Sequence, residues 1–277
     1  VHGVSRRLFF AAVNTRPEPS RAAATASAAV APVEFSAQTD ARIITESMSA
    51  QSYLDDIRAR LRREVYPSQD ELNDIERLLV SSGVFARSRE PAENLVVMSN
   101  DGTPTSLVAP RWLCHLLGLR HATSHILLTW RSTSMGEVLL LQVRSWTKEH
   151  APGHLDISVG GHVTQGSSPE TTAYAEMSQE LGIDRGDLAN GRLRCIGAYG
   201  HFNEKAGESF YNAEWRTIYA GELLPGSLSK VNFRDGEAAG LYLCPRPEAS
   251  AVLQQTLIPM TTSLQRSLPL WLGQGES

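Results

Sequence analysis

The feature that most constrains this chain is a glycine loop that runs directly into a short helix with defined ends. Pro152-Gly153-His154 leads into Val159-Gly160-Gly161-His162, and Ser167-Ser168-Pro169-Glu170 then opens a segment that stops at Gly182-Ile183. Glycines allow close backbone approach to a charged group, because no Cβ stands in the way. Ser168 followed by Pro169 is a good helix start: the hydroxyl accepts from an orphan N–H, and proline suits the first helical position. Gly182 is a good helix stop. Between these ends Glu176 and Glu180 lie four residues apart and share a face, with Gln179 beside them. Ala173, Met177 and Leu181 fall on the core side. Two carboxylates beside a glycine loop suit a hard divalent cation, which takes oxygen ligands from one or two carboxylates together with substrate phosphates. The alternative for such a pair is an ordinary solvated helix face.

Taken in order, these residues resemble the Nudix box: Gly, five residues, Glu, seven residues, Arg-Glu-aliphatic, one residue, Glu-Glu, one residue and Gly-aliphatic. Gly161, Glu176, Glu180, Gly182 and Ile183 match it, with Met177 at an aliphatic position. Ser167 stands for the first Glu, Ala175 for the Arg and Gln179 for the first Glu of the pair, so the box is degenerate. In the family the first Glu and the Arg form a structural pair, and losing both together strands no buried charge. Gln179 brings a neutral oxygen where the family has a carboxylate, which implies a weakened metal site.

The resemblance spans roughly residues 92 to 247 and is to the isopentenyl-diphosphate isomerase-like branch. It is carried upstream by Ala109-Pro110-Arg111, Gly118-Leu119-Arg120-His121, His125 to Leu128, Leu139 to Ser145, Lys148 and Pro152-Gly153. Downstream it rests on Asn212-Ala213-Glu214-Trp215 and Glu237-Ala238-Ala239-Gly240. It implies an α/β fold, the Nudix α/β/α sandwich with a mixed β-sheet. The implied chemistry is attack of water on one phosphorus of a pyrophosphate, in a nucleoside diphosphate derivative or related diphosphate, with Mg²⁺ or Mn²⁺ as cofactor. The implied metal ligands are Glu176, Glu180 and a Gly160 or Gly161 carbonyl, with Gln179 as a weaker contact. Candidates for the general base are Glu176 itself, Glu214, Glu204 and Glu208. Arg144, Lys148, His121 and His162 are the candidate substrate contacts, and Trp146 either stacks on a base or joins the core.

True isomerases carry a catalytic cysteine where Gly160 stands, so the thiol half of their acid–base pair is missing. His121 and His162 resemble two of their metal histidines, and His115 a third if one residue is deleted before His121. Glu214 matches one of two carboxylates, and Asn212 occupies the place of the other. Two alternatives to a hydrolase follow: a weakened domain that binds a nucleotide or diphosphate without turnover, and an isoprenoid-diphosphate isomerase.

The rest of the chain is ordinary in composition, with 42% hydrophobic and 20% charged residues, enough for one medium domain with extensions. A net charge of -4 and no basic patch interleaved with aromatics argue against a nucleic-acid surface. Three dispersed cysteines suggest neither a disulfide framework nor a zinc motif, which fits an intracellular, reducing compartment. No apolar run approaches a membrane span, so a soluble protein is expected.

Residues 1–47 are Ala-rich and poor in periodicity, and read as a disordered or targeting extension. Arg6, Arg7, Arg16 and Arg21 against Glu18 suit a mitochondrial or plastid transit peptide, and Met48 as the true start is the competing reading. Over 48–91 the spacing predicts a helical hairpin, with Leu54, Ile57 and Leu61 on one face, then a capping box at Ser68 and Glu71 ahead of Leu72, Ile75, Leu78 and Leu79. Gly83 closes it. Its stripe needs cover from the following domain or from a second subunit in a homodimer. Residues 92–277 form the expected Nudix domain. Its strands are predicted at Asn94 to Met98, Thr103 to Val108, His125 to Trp130, Val138 to Val143, Asp156 to Val159, Leu193 to Tyr199, Asn212 to Tyr219 and Gly240 to Leu243. Besides the box helix, one C-terminal helix is predicted from about Glu248, interrupted by Pro259.

Overall fold

The computed structural model describes residues 8–9, 52–81, 93–148, 151–204, 211–233, 236–254 and 259–274. It divides into two compact units, Asn14–Pro91 and a larger one of Val1–Val13 with Ala92–Ser277.

The smaller unit contains helix α1 over 52–61 and helix α2, Gln69–Ser81. The capping box forms as its sequence requires: Glu71 N–H donates to Ser68 Oγ at 3.2 Å, and Ser68 N–H donates to Glu71 Oε2 at 2.7 Å. Arg60 reaches across to the same carboxylate at 2.7 Å. Leu54, Ile57, Leu72, Ile75 and Leu79 are buried, whereas Leu61 and Leu78 are half-buried. Gly83 and most of the 1–47 extension lie outside the described residues. Within that extension Leu8–Phe9 (β1) pairs with the last strand of the larger unit.

The larger unit is built on a mixed sheet: β2 Asn94–Met98, β3 Pro104–Pro110, β4 His121–Ser132, β5 Gly136–Arg144, β6 Leu155–Asp156, β7 Val159–His162, β8 Arg194–Glu204, β9 Tyr211–Leu223 and β10 Ala238–Pro245. β4 is the axis. It runs parallel to β9 from His121↔Glu214 to Trp130↔Leu223 and antiparallel to β5 at its C-terminal end. At its N-terminal half it pairs antiparallel with the glycine strand β7, in the register Thr123↔His162, Ser124↔Gly161, His125↔Gly160.

Because strand side chains alternate between faces, β4 feeds two separate cores. Ile126 and Leu128 pack with Val159, Ala173, Met177 and Leu181, which places the box helix α4 (Pro169–Leu181) on one face. Leu127 packs with Leu139, Leu141, Ile218, Ala249, Val252, Leu264, Leu268 and Trp271, which places α5 (Arg246–Gln254) and α6 (Thr262–Leu272) on the other. This is the α/β/α sandwich that the sequence implied.

Three local readings need correction. The single strand expected over Asp156 to Val159 is two short strands, because Ser158 turns inward: its Oγ accepts from Leu128 N–H at 2.8 Å and donates to the Leu140 carbonyl. The one C-terminal helix is two, the second N-capped by Thr261, whose Oγ1 accepts from Leu264 N–H at 3.2 Å. Helix α3 (Arg111–Leu117) was not foreseen. It opens on Pro110 and stops at Gly118 in the left-handed region, φ +75°.

Candidate active site

Both ends of α4 form as the sequence dictates. Ser168 Oγ accepts from Thr171 N–H at 3.1 Å, and Gly182 adopts φ +67° and donates to the Ser178 carbonyl at 3.0 Å. Ser124 Oγ on β4 donates to the Pro169 carbonyl at 2.8 Å, fixing the helix start against the sheet.

The two glutamates then converge on β7. The Glu176 carboxylate occupies the space that a Cβ at Gly161 would need, so a side chain there would push Glu176 aside. Glu180 is buried; its Oε2 accepts from Gln142 Nε2 at 2.9 Å and its Oε1 from Gly160 N–H at 3.4 Å. Gln142 therefore orients one of the two carboxylates, as an outer-shell partner orients a metal ligand. The two carboxylates offer oxygen donors, the kind that hard divalent cations such as Mg²⁺ take. Gln179 is exposed, as are Ser167 and Ala175, so the missing Glu–Arg pair leaves no buried charge behind.

A second cluster lies on the opposite face. His115, His121 and His162 each offer a ring nitrogen, and these atoms all lie within 4.8 Å of one another. Three elements bring them together: α3 carries His115, β4 begins with His121, and β7 ends with His162. His121 Nδ1 lies 2.9 Å from the Leu119 carbonyl and His115 Nδ1 lies 3.3 Å from that of Tyr211. A ring N–H given to a carbonyl leaves Nε2 as a lone pair. Among the described residues, the buried Nε2 atoms of His121 and His162 have no hydrogen-bond partner. Burial lowers all three rings, His115 to about 3, so they stand neutral. Buried neutral imidazoles with unpartnered nitrogens suit a borderline transition ion such as Zn²⁺.

Glu214 belongs to this second cluster, since it pairs with His121 across β4 and β9 and shares that face. Arg216, two residues on, holds it at 2.5 Å, and both are buried. Burial raises the Glu214 carboxyl, but Arg216 and the nearby histidines outweigh it and hold the group well below the ordinary carboxylate range. Asn212 alternates onto the same face, and its buried Oδ1 has no partner among the described residues.

The remaining candidates are placed as follows. Arg144 lies two residues beyond Gln142 and pairs with Asp156 at 2.9 Å. Lys148 pairs with Glu237 at 2.5 Å. Trp146 is 72% exposed, so the alternative of a core role is overturned. Gly200 to Glu204 lies in β8, and the Glu204 side chain and Glu208 lie outside the described residues. Two functional neighbours were missed by sequence reasoning, Gln142 and Arg216. Each had a signal: a lone amide in the apolar run Leu139 to Val143, and a Glu-x-Arg pair sharing one face of a strand.

The NUDIX domain model matches residues 119–261, and the chain belongs to that family. It is 34% identical over 91 residues to Nudix hydrolase 3 of Arabidopsis thaliana, covering 33% of this chain and 11% of that protein. It is 35% identical over 94 residues to an uncharacterized Nudix hydrolase, orf19, of Rhodococcus erythropolis, covering 34% and 49%. The match thus spans about a tenth and about half of the length of these curated relatives. Among solved structures it is similar to DR0079 of Deinococcus radiodurans, with a TM-score of 0.49 and 17% identity, over 64% of this chain and 98% of that one.

Proposed function

We propose that this protein hydrolyses the pyrophosphate linkage of a nucleoside diphosphate derivative or related diphosphate, using Mg²⁺ or Mn²⁺ held by Glu176, Glu180 and a carbonyl of Gly160 or Gly161. The observation that carries the reading is the convergence of Glu176 and Glu180 on the glycine strand, one packed over Gly161 and the other oriented by Gln142. A divalent ion there supplies an activated water and neutralises charge growing on the phosphate oxygens. The chain's own part is positional. Gly161 leaves room for the Glu176 carboxylate against β7, and Gln142 keeps the Glu180 carboxylate aimed. Glu176, half-buried beside the glycines, is the favoured proton acceptor, because Glu214 lies on the other face in an ion pair. Gln179 faces solvent and adds little to the ligand set.

The test is divalent-dependent release of phosphate or nucleoside monophosphate from a panel of nucleotide sugars, dinucleotides and nucleoside di- and triphosphates. Glu176→Gln and Glu180→Gln should each abolish it while the domain stays folded. Full turnover in Glu180→Gln would refute the assignment. Binding without turnover in the wild type would establish the weakened domain instead.

The neutral histidine cluster favours a second ion on the opposite face, held by His115, His121 and His162. A ligand that binds only the native state raises stability by about 2.7 kcal/mol at 100 times its dissociation constant. Zn²⁺ should therefore raise the melting temperature of wild type and not of His121→Ala. Equal shifts in both would remove this ion. An isomerase remains disfavoured: Gly160 supplies no thiol, and Glu214 is locked to Arg216.

A further inference from the structure

We infer that the cavity between the start of β8 and the end of α6 is a binding site for a phosphate group, with Arg192 and Arg194 as the residues that hold it. The site lies apart from Glu176 and Glu180, so it does not rest on the hydrolase reading.

The cavity has a volume of about 160 Å³, and Thr129, Ala220 and Gly221 line it from the sheet. Thr129 shares a face of β4 with Leu127, which packs under α5 and α6, whereas α4 covers the opposite face. Thr129 is also five residues beyond Ser124, the partner of Gly161, which is roughly 17 Å along the strand. Leu193 packs on the α4 side, so its neighbours Arg192 and Arg194 point the other way, and both line the cavity.

Charge singles this cavity out in a chain whose net charge is -4. The carboxylates that line it, Glu137 and Glu222, each have a counter-ion already: Arg246 holds Glu137 at 2.9 Å, and Arg131 holds Glu222 at 3.3 Å. Arg192 and Arg194 are left over. Arg192 has no partner among the described residues, and Arg194 bonds to a neutral amide. Two uncompensated guanidiniums match a phosphate group, whose charge at neutral pH approaches -2, better than they match a single carboxylate.

Arg194 is held ready. Its Nη1 donates to Gln274 Oε1 at 2.6 Å, and Gln274 Nε2 donates to the Leu270 carbonyl at 3.4 Å. An amide orients a guanidinium without neutralising it. Arg246 clamps the end of α6 that leads to Gln274: it lies over the Trp271 ring at 4.4 Å and donates to the Leu272 carbonyl at 3.3 Å. The planar fork of each free guanidinium suits the oxygens of a phosphate. Size limits what enters. A cavity of about 150 Å³ holds a molecule of the size of benzene, so this one takes a tetrahedral phosphate and leaves the rest of any larger ester outside.

The test titrates the full chain calorimetrically with inorganic phosphate and with AMP at fixed ionic strength. A chelator is present, so that no cation at Glu176 and Glu180 can hold either probe. Wild type should bind phosphate, and Arg192→Gln/Arg194→Gln should weaken that binding by roughly 10- to 100-fold. Arg192→Lys/Arg194→Lys should recover only part of it, because the charge returns without the fork. Glu180→Gln should bind phosphate as wild type does. Unchanged phosphate binding in Arg192→Gln/Arg194→Gln would overturn the site, as would no binding by wild type or its loss in Glu180→Gln. The comparison of probes names the source. AMP binding that needs both arginines and is tighter than that of phosphate supports a phosphate ester as the ligand, and tighter phosphate supports the free ion.

Discussion

The Glu176 carboxylate lies in the space that a side chain at Gly161 would fill. That relationship ties the helix α4 to the strand β7 at the point where the chemistry is proposed. It also makes a glycine, and not only the acidic residues, a sensitive position of the site. Gly161→Ala should displace Glu176 and reduce divalent affinity or turnover by roughly 10- to 100-fold, with the fold intact by circular dichroism. Turnover at the wild-type level would mean that Glu176 has room to move without cost.

Gln142 orients Glu180 from β5 through one hydrogen bond of 2.9 Å. Gln142→Leu keeps a side chain of similar size but leaves a buried carboxylate with less support. The metal concentration for half-maximal activity should rise by roughly 10- to 100-fold. A Mn²⁺ titration of the reaction checks this, and an unchanged midpoint would show that Gly160 N–H alone suffices.

Arg216 is the counter-ion of Glu214, and both are buried. Removing one member of such a pair costs about 3–5 kcal/mol, whereas replacing both by neutral groups costs far less. Denaturant unfolding with a chelator present should show Arg216→Leu strongly destabilised and the double variant Arg216→Leu/Glu214→Gln restored in large part. Additive losses would mean that the two residues are energetically independent.

In the hairpin unit, the hydrogen bond from Arg60, together with that from Ser68 N–H, depresses the Glu71 carboxyl from 4.5 to about 2. A carboxyl with a lowered native value contributes stability above its unfolded value, and that contribution is lost as pH falls through the native one. The stability difference between wild type and Glu71→Gln should therefore be constant above about pH 5 and shrink between pH 4.5 and about 2. Thermal melts of both proteins across that range measure it. A difference independent of pH would show that Glu71 acts through packing rather than charge.

What the sequence determined by itself is local. Ser168, Pro169 and Gly182 set the ends of α4, and Ser68 with Glu71 sets the start of α2, because capping is decided within a few residues. The spacing of Glu176 and Glu180 with Gly161 gave the family resemblance for the same reason. The tertiary structure decided which of the remaining polar residues meet. His121 faces Glu214 through a parallel pairing between strands distant in sequence, and a one-residue slip would have sent Glu214 to the box face instead. His115 joins the cluster only because Gly118 turns α3 back toward β4. Trp146 lies in solvent with its ring against Gly153, a residue on the facing side of the turn. Register between distant strands follows from how both faces pack as a whole, so no local spacing could fix it.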